Sequence, residues 1–164
     1  NPKWKMGEEA FAEQSRVMKE LREATVELYQ EVNDLNYIKN QIKGFTDRKD
    51  WEDSTLSDMA KRAQQNLDSL INTMVQPKQK TFQDVINFPN QLDAKLIHMQ
   101  RTLNGIMPPL TSGQKILSAE LLTEWREKET AIQKYLDTDI EELNEKIKEM
   151  DLPFFATEKE ESTF

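Results

Sequence analysis

The sequence predicts an all-α chain, an antiparallel four-helix bundle with two long and two shorter helices. Three observations lead there. Only 4 of 164 residues are glycine, and Glu, Lys, Gln and Leu, all good helix formers, are abundant. Apolar residues recur at helical spacing over four separate stretches. Prolines and polar runs fall between those stretches, where they end helices rather than interrupt them.

The first stretch carries Leu21, Leu28, Leu35 and Ile42 at intervals of seven, with Val17, Ala24, Val32 and Ile38 at the alternate positions. It begins near Glu8 and Glu9, whose charges suit a helix N-terminus, and ends at Lys43-Gly44, where glycine suits the left-handed cap. Such a helix is about 54 Å long. After the polar residues 46–53, Ser54 or Thr55 caps a second helix with Leu56, Met59, Ala63, Leu67, Leu70, Ile71 and Met74 on its buried face. Pro77 ends it.

The connection from Gln76 to Asn90 is long for a bundle loop. Its residues Phe82, Val85, Ile86 and Phe88 are too apolar for a solvated linker and are expected to pack at a bundle end. A shorter third helix follows Pro89, with Leu92, Leu96, Met99, Leu103 and Ile106 on one face and Met107-Pro108-Pro109 as its stop. The last helix runs from about Ser118 to Met150, and Leu121, Trp125, Ile132, Leu136, Ile140, Leu143 and Ile147 form its stripe. An alternative architecture is a three-rod bundle whose middle rod is broken at residues 76–90. Four helices are preferred because that connection is long enough to reverse direction. Residues 1–7 then read as a linker from a missing upstream domain, 8–150 as one helical bundle domain, and 151–164, without periodicity and with an acidic run at Glu158–Glu161, as an irregular tail.

Composition excludes several classes of chemistry. The formal net charge is −8, which argues against a nucleic-acid partner, since phosphate binding depends on clustered Lys and Arg. No apolar run approaches the roughly 20 residues that cross a bilayer, so membrane insertion is not expected. With no cysteine and one histidine, thiolate zinc sites and cysteine nucleophiles are absent, and the compartment is left undecided. His98 alone makes no ligand set and reads as a surface or rim residue. The acids Asp137, Asp139, Glu141 and Glu142 fit no calcium loop, because a helix radiates successive side chains in different directions. They read as a solvated face near Lys134 and Lys146. No phosphate loop, Gly-x-Gly-x-x-Gly or Ser nucleophile elbow occurs. No cofactor, no metal and no enzyme activity are therefore expected of this chain.

Aromatics are more informative. Trp51 and Phe45, together with Trp4, Phe82, Phe88, Phe154 and Phe155, lie outside the helical stripes, near termini and connections where a bundle is closed or docked. Among them Trp4, Phe82, Phe88, Phe154 and Phe155 stand out as the candidate domain-docking residues. Met18, Met59, Met74 and Met99 fall on or beside the stripes and read as core filling, which leaves Met6, Met107 and Met150 for contacts at bundle ends.

Val75-Gln76, Asp84, then Ile86-Asn87-Phe88-Pro89-Asn90-Gln91-Leu92 and Leu96, and later Pro109-Leu110-Thr111, form a motif string. It resembles the C-terminal helical domain of bacterial sortilin-like, Asp-box (neuraminidase-type) repeat proteins, often labelled glycosyl hydrolases. The resemblance runs over most of 8–150 and is sharp across 75–111. Leu110 departs from it, standing between a proline and a threonine that are adjacent in the family. The resemblance implies a β-propeller ahead of Asn1, export from the cytoplasm to the periplasm, cell surface or exterior, and a partner that is the neighbouring domain of the same parent chain. Any glycosidase carboxylates would belong to that propeller, so no catalytic residue transfers to this chain. The expected function is a non-catalytic helical accessory domain that packs against or spaces the propeller. The competing expectation is a stand-alone or self-associating bundle, because the seven-residue spacing from Leu21 to Ile42 also suits a coiled-coil homodimer.

Overall fold

A computed structural model describes residues 7–47, 54–79 and 87–149. Among them the chain is all α, with four helices, two long and two shorter, and no strand. Helix α1 spans Glu8–Thr46, α2 Ser54–Met74 and α3 Leu92–Asn104. The second long helix is α4, Ser112–Tyr135, continued by a π-helical turn at Leu136–Ile140 and by α5, Glu141–Glu149.

All eight apolar residues of the α1 stripe are buried, from Val17 to Ile42. The helix does not stop at Gly44. No described glycine has a positive φ, and Phe45, the next residue, is itself buried. That burial favours carrying the helix past the glycine, after which the Thr46 hydroxyl and the Asp47 N–H both donate to the Lys43 carbonyl. On the second long helix the start differs too. It begins six residues ahead of Ser118, because Thr111 and Gln114 form a reciprocal cap. The Gln114 N–H donates to Thr111 Oγ1 at 3.2 Å and the Thr111 N–H to Gln114 Oε1 at 2.8 Å, the arrangement that satisfies two orphan donors of a helix start.

The chain forms two compact units. One contains α1 up to Gln30, the end of α2 from Asn72, α3, and α4 up to Thr130. Here α3 runs antiparallel to α1, since Tyr29 bonds Asp93 whereas Gln14 bonds the carbonyls of Leu103 and Ile106. Between these points Gln100 Nε2 donates to Thr25 Oγ1 and to the Leu21 carbonyl. Helix α4 runs parallel to α1, from the Lys115–Glu13 ion pair to the Arg126–Glu27 pair. Leu21, Leu28, Leu92, Leu96, Leu103 and Trp125 fill this core.

The other unit contains α1 from Glu31, α2 up to Ile71, and the last helix from Ala131. In it α2 is antiparallel to α1, with Lys39 paired to Asp68 and Gln64 bonded to Thr46. Leu35, Ile42, Leu67, Ile132, Leu143 and Ile147 form its centre. Each unit is thus a three-helix section. Leu92, Leu96, Met99 and Leu103 are the buried residues of α3. Met59, Leu70, Ile106 and Leu136, expected in the core, are half-buried at its margin.

The π-helical turn follows from residue spacing. Ser118, Trp125 and Ile132 are buried at intervals of seven, and so are Ile140 and Ile147, but eight residues separate Ile132 from Ile140. In a regular α-helix eight residues overshoot two turns by about 80°. The wider turn at 136–140 takes up the additional residue and returns Ile140 to the buried face.

Candidate functional site

Of the expected docking residues, Phe88 is described and is half-buried. Trp4, Phe82, Phe154 and Phe155 lie outside the described residues. Among the exposed large apolar side chains of the first unit, Phe11, Met107, Ile116 and Leu117 lie near one end of it, while Val26 and Tyr29 stand further along α1. Gln14, almost fully buried, donates through Nε2 to the carbonyls of Leu103 and Ile106 and so closes the C-terminus of α3. Lys115 at the start of α4 pairs with Glu13 at 2.6 Å. These bonds bring the second turn of α1, the end of α3 and the first turn of α4 together.

Phe11 lies one turn before Gln14, Met107 directly follows Ile106, and Ile116 and Leu117 directly follow Lys115. All four are exposed, Met107 at 70% and Ile116 at 58%. Pro108 and Leu110 in the same connection are buried, so the proline turn is anchored while Met107 points outward. Phe11, Met107, Ile116 and Leu117 thus sit on the three chain segments that the Gln14 and Lys115 bonds join.

In the second unit a cavity of about 110 Å³ is bordered by Arg62, Asn66, Tyr135, Asp139 and Glu142. The Tyr135 hydroxyl donates to the Ala63 carbonyl at 3.3 Å. Burial pushes its pKa up to about 12, the Asn66 amide opposes the rise, and the Asp139 charge adds to it. This phenol is a hydrogen-bond donor at neutral pH and a poor candidate for a general base. Tyr29 is also pushed up to about 12, first by burial, then by the charge and hydrogen bond of Asp93.

Among the described residues no three His, Cys, Asp or Glu side chains converge in a way that holds a metal ion. His98 is exposed. Asp137, Asp139, Glu141 and Glu142 are all exposed as well, with Asp137 taking a bond from Gln133 and Asp139 one from Thr138. No described helix is long and apolar enough to cross a membrane. Comparison with protein-family models, with curated proteins and with solved structures gives no match.

Proposed function

We propose that the chain is a non-catalytic helical accessory domain that packs against or spaces a neighbouring β-propeller domain of a larger exported protein. The observation that carries this reading is the apolar end of the first unit, where Phe11, Met107, Ile116 and Leu117 are all exposed. The motif string across 75–111 supports the choice of partner, and it overlaps this end at Met107.

Self-association remains the competing reading, but its seam would lie elsewhere. Leu21, Leu28, Leu35 and Ile42 are buried within the chain and do not offer a coiled-coil face to a second copy.

The test compares the isolated domain with the parent protein by hydrogen exchange. Residues 8–15 and 105–118 gain protection when the propeller is attached. Met107→Ser and Ile116→Ser leave the isolated domain's denaturation midpoint unchanged, because both residues are solvent-facing, and remove the added protection in the parent. Equal protection in both contexts rejects the reading, and a concentration-dependent dimer of the isolated domain favours self-association.

A further inference from the structure

The end of α3 carries the sequence Asn104-Gly105, and both residues are exposed. Glycine has no side chain to shield its backbone nitrogen, so an Asn-Gly pair is the arrangement in which the asparagine side chain is most open to attack from the following amide. We propose that Asn104 is a site of spontaneous covalent modification, and that the Gln14 clamp on α3 sets its rate. The Gly105 backbone nitrogen attacks Cγ of Asn104, a C–N bond forms, and the amide nitrogen leaves as ammonia to give a five-membered succinimide. Water then opens the ring at one carbonyl or the other, producing aspartate or isoaspartate. The net change is amide plus water to carboxylic acid plus ammonia, with no oxidant or further reactant.

In the closed helix end this attack is held back. Gly105 sits at φ −89°, ψ 0°, and its N–H is engaged by the carbonyls of Arg101 at 3.2 Å and Thr102 at 3.3 Å. Gln14 reinforces that geometry from α1, because its amide holds the carbonyls on either side of the pair, Leu103 and Ile106. Reaction therefore requires a local opening of the last turn of α3, and the stability of that opening is what Gln14 controls. The product is not neutral for the fold. A carboxylate at residue 104 stands at a helix C-terminus, where the helix dipole disfavours negative charge. The isoaspartate form also lengthens the main chain by one atom between residues 104 and 105, where the Gly105 N–H meets Arg101.

Mass spectrometry of the whole chain incubated at mildly alkaline pH tests this. Trypsin cleavage after Arg101 and Lys115 releases Thr102–Lys115, whose single asparagine is Asn104. This peptide gains about one dalton with time and splits into two chromatographic forms, while peptides carrying Asn66 and Asn144 do not change. Gln14→Ala accelerates the gain. Gly105→Ala removes it, and a Cβ there makes only ordinary contacts, 3.5 Å to the Arg101 carbonyl oxygen and 3.8 Å to that of Thr102, so this variant keeps the fold. An unchanged Thr102–Lys115 peptide in the wild-type chain overturns the site. Equal rates in wild type and Gln14→Ala overturn the clamp, and parallel acceleration at Asn66 and Asn144 does the same by showing general unfolding.

Discussion

The indole N–H of Trp125 donates to Glu27 Oε2 at 3.0 Å. The same oxygen accepts from Arg126 Nη1, also at 3.0 Å. Trp125 is 1% exposed, so α4 places its largest side chain in the core and still satisfies its one polar hydrogen through a carboxylate on α1. Glu27→Leu leaves that indole hydrogen unpaired and is expected to cost about 1–3 kcal/mol. Glu27→Gln keeps an acceptor and loses only an exposed ion pair, a cost of about 1 kcal/mol or less. Urea denaturation of the two variants measures the difference, and equal midpoints would show that the indole bond contributes nothing.

Leu28 is fully buried at the centre of the first core. Its replacement by alanine removes an isobutyl group that the surrounding helices cannot collapse to fill, for a loss of about 2–5 kcal/mol. Leu136 is half-buried in the π-helical turn, so Leu136→Ala should fall below Leu28→Ala. His98→Ala, on an exposed face, stays within about 0.5 kcal/mol of wild type. The order of the three midpoints is the check.

The stripe of α1 was legible because burial there repeats with the helix: Leu21, Leu28, Leu35 and Ile42 face one side at every second turn. The first turn of α4 was not legible from periodicity, since residues 112–117 bury no apolar side chain. Its signal was the Thr111-x-x-Gln114 cap. The docking candidates show the same contrast. Aromatics near termini and connections draw attention by position, whereas Phe11, Ile116 and Leu117 sit inside helices, where a single exposed apolar residue is ordinary. Only the bonds from Gln14 and Lys115, which join three chain segments, reveal that these residues share an end.

Two buried oxygens lack hydrogen-bond partners among the described residues, Ser118 Oγ and Asn144 Oδ1. An unpaired buried polar atom lowers stability relative to an apolar replacement of similar shape. Ser118→Ala and Asn144→Leu are therefore expected to be neutral or to raise the thermal midpoint. A clear fall in either variant, followed by differential scanning calorimetry, would mean that the oxygen is engaged in solution.

Alkaline pH should weaken the fold through its tyrosines. Tyr29 and Tyr135 are both raised from 10.0 to about 12, so the folded chain keeps these protons after the unfolded chain has lost them. The stabilisation is complete below pH 10 and is lost as pH climbs through about 12. Ultraviolet titration of tyrosinate absorbance, with Tyr135→Phe as reference, follows it directly. A titration of Tyr135 at the ordinary phenol value would contradict the burial described above.

The eight-residue step from Ile132 to Ile140 gives the second long helix one residue more than its heptad needs. Removing a residue from a helix interior ordinarily turns everything beyond it by about 100° and buries the wrong side chains. Here removal of Thr138 would restore an unbroken series at sevens, with Trp125, Ile132, Ile140 and Ile147 again in phase on a straight α-helix. Among the described residues Thr138 bonds to Lys134 and Asp139 on its own helix, and it is exposed. The chain can thus vary in length at this turn without changing what it buries, and a shortened variant should still fold.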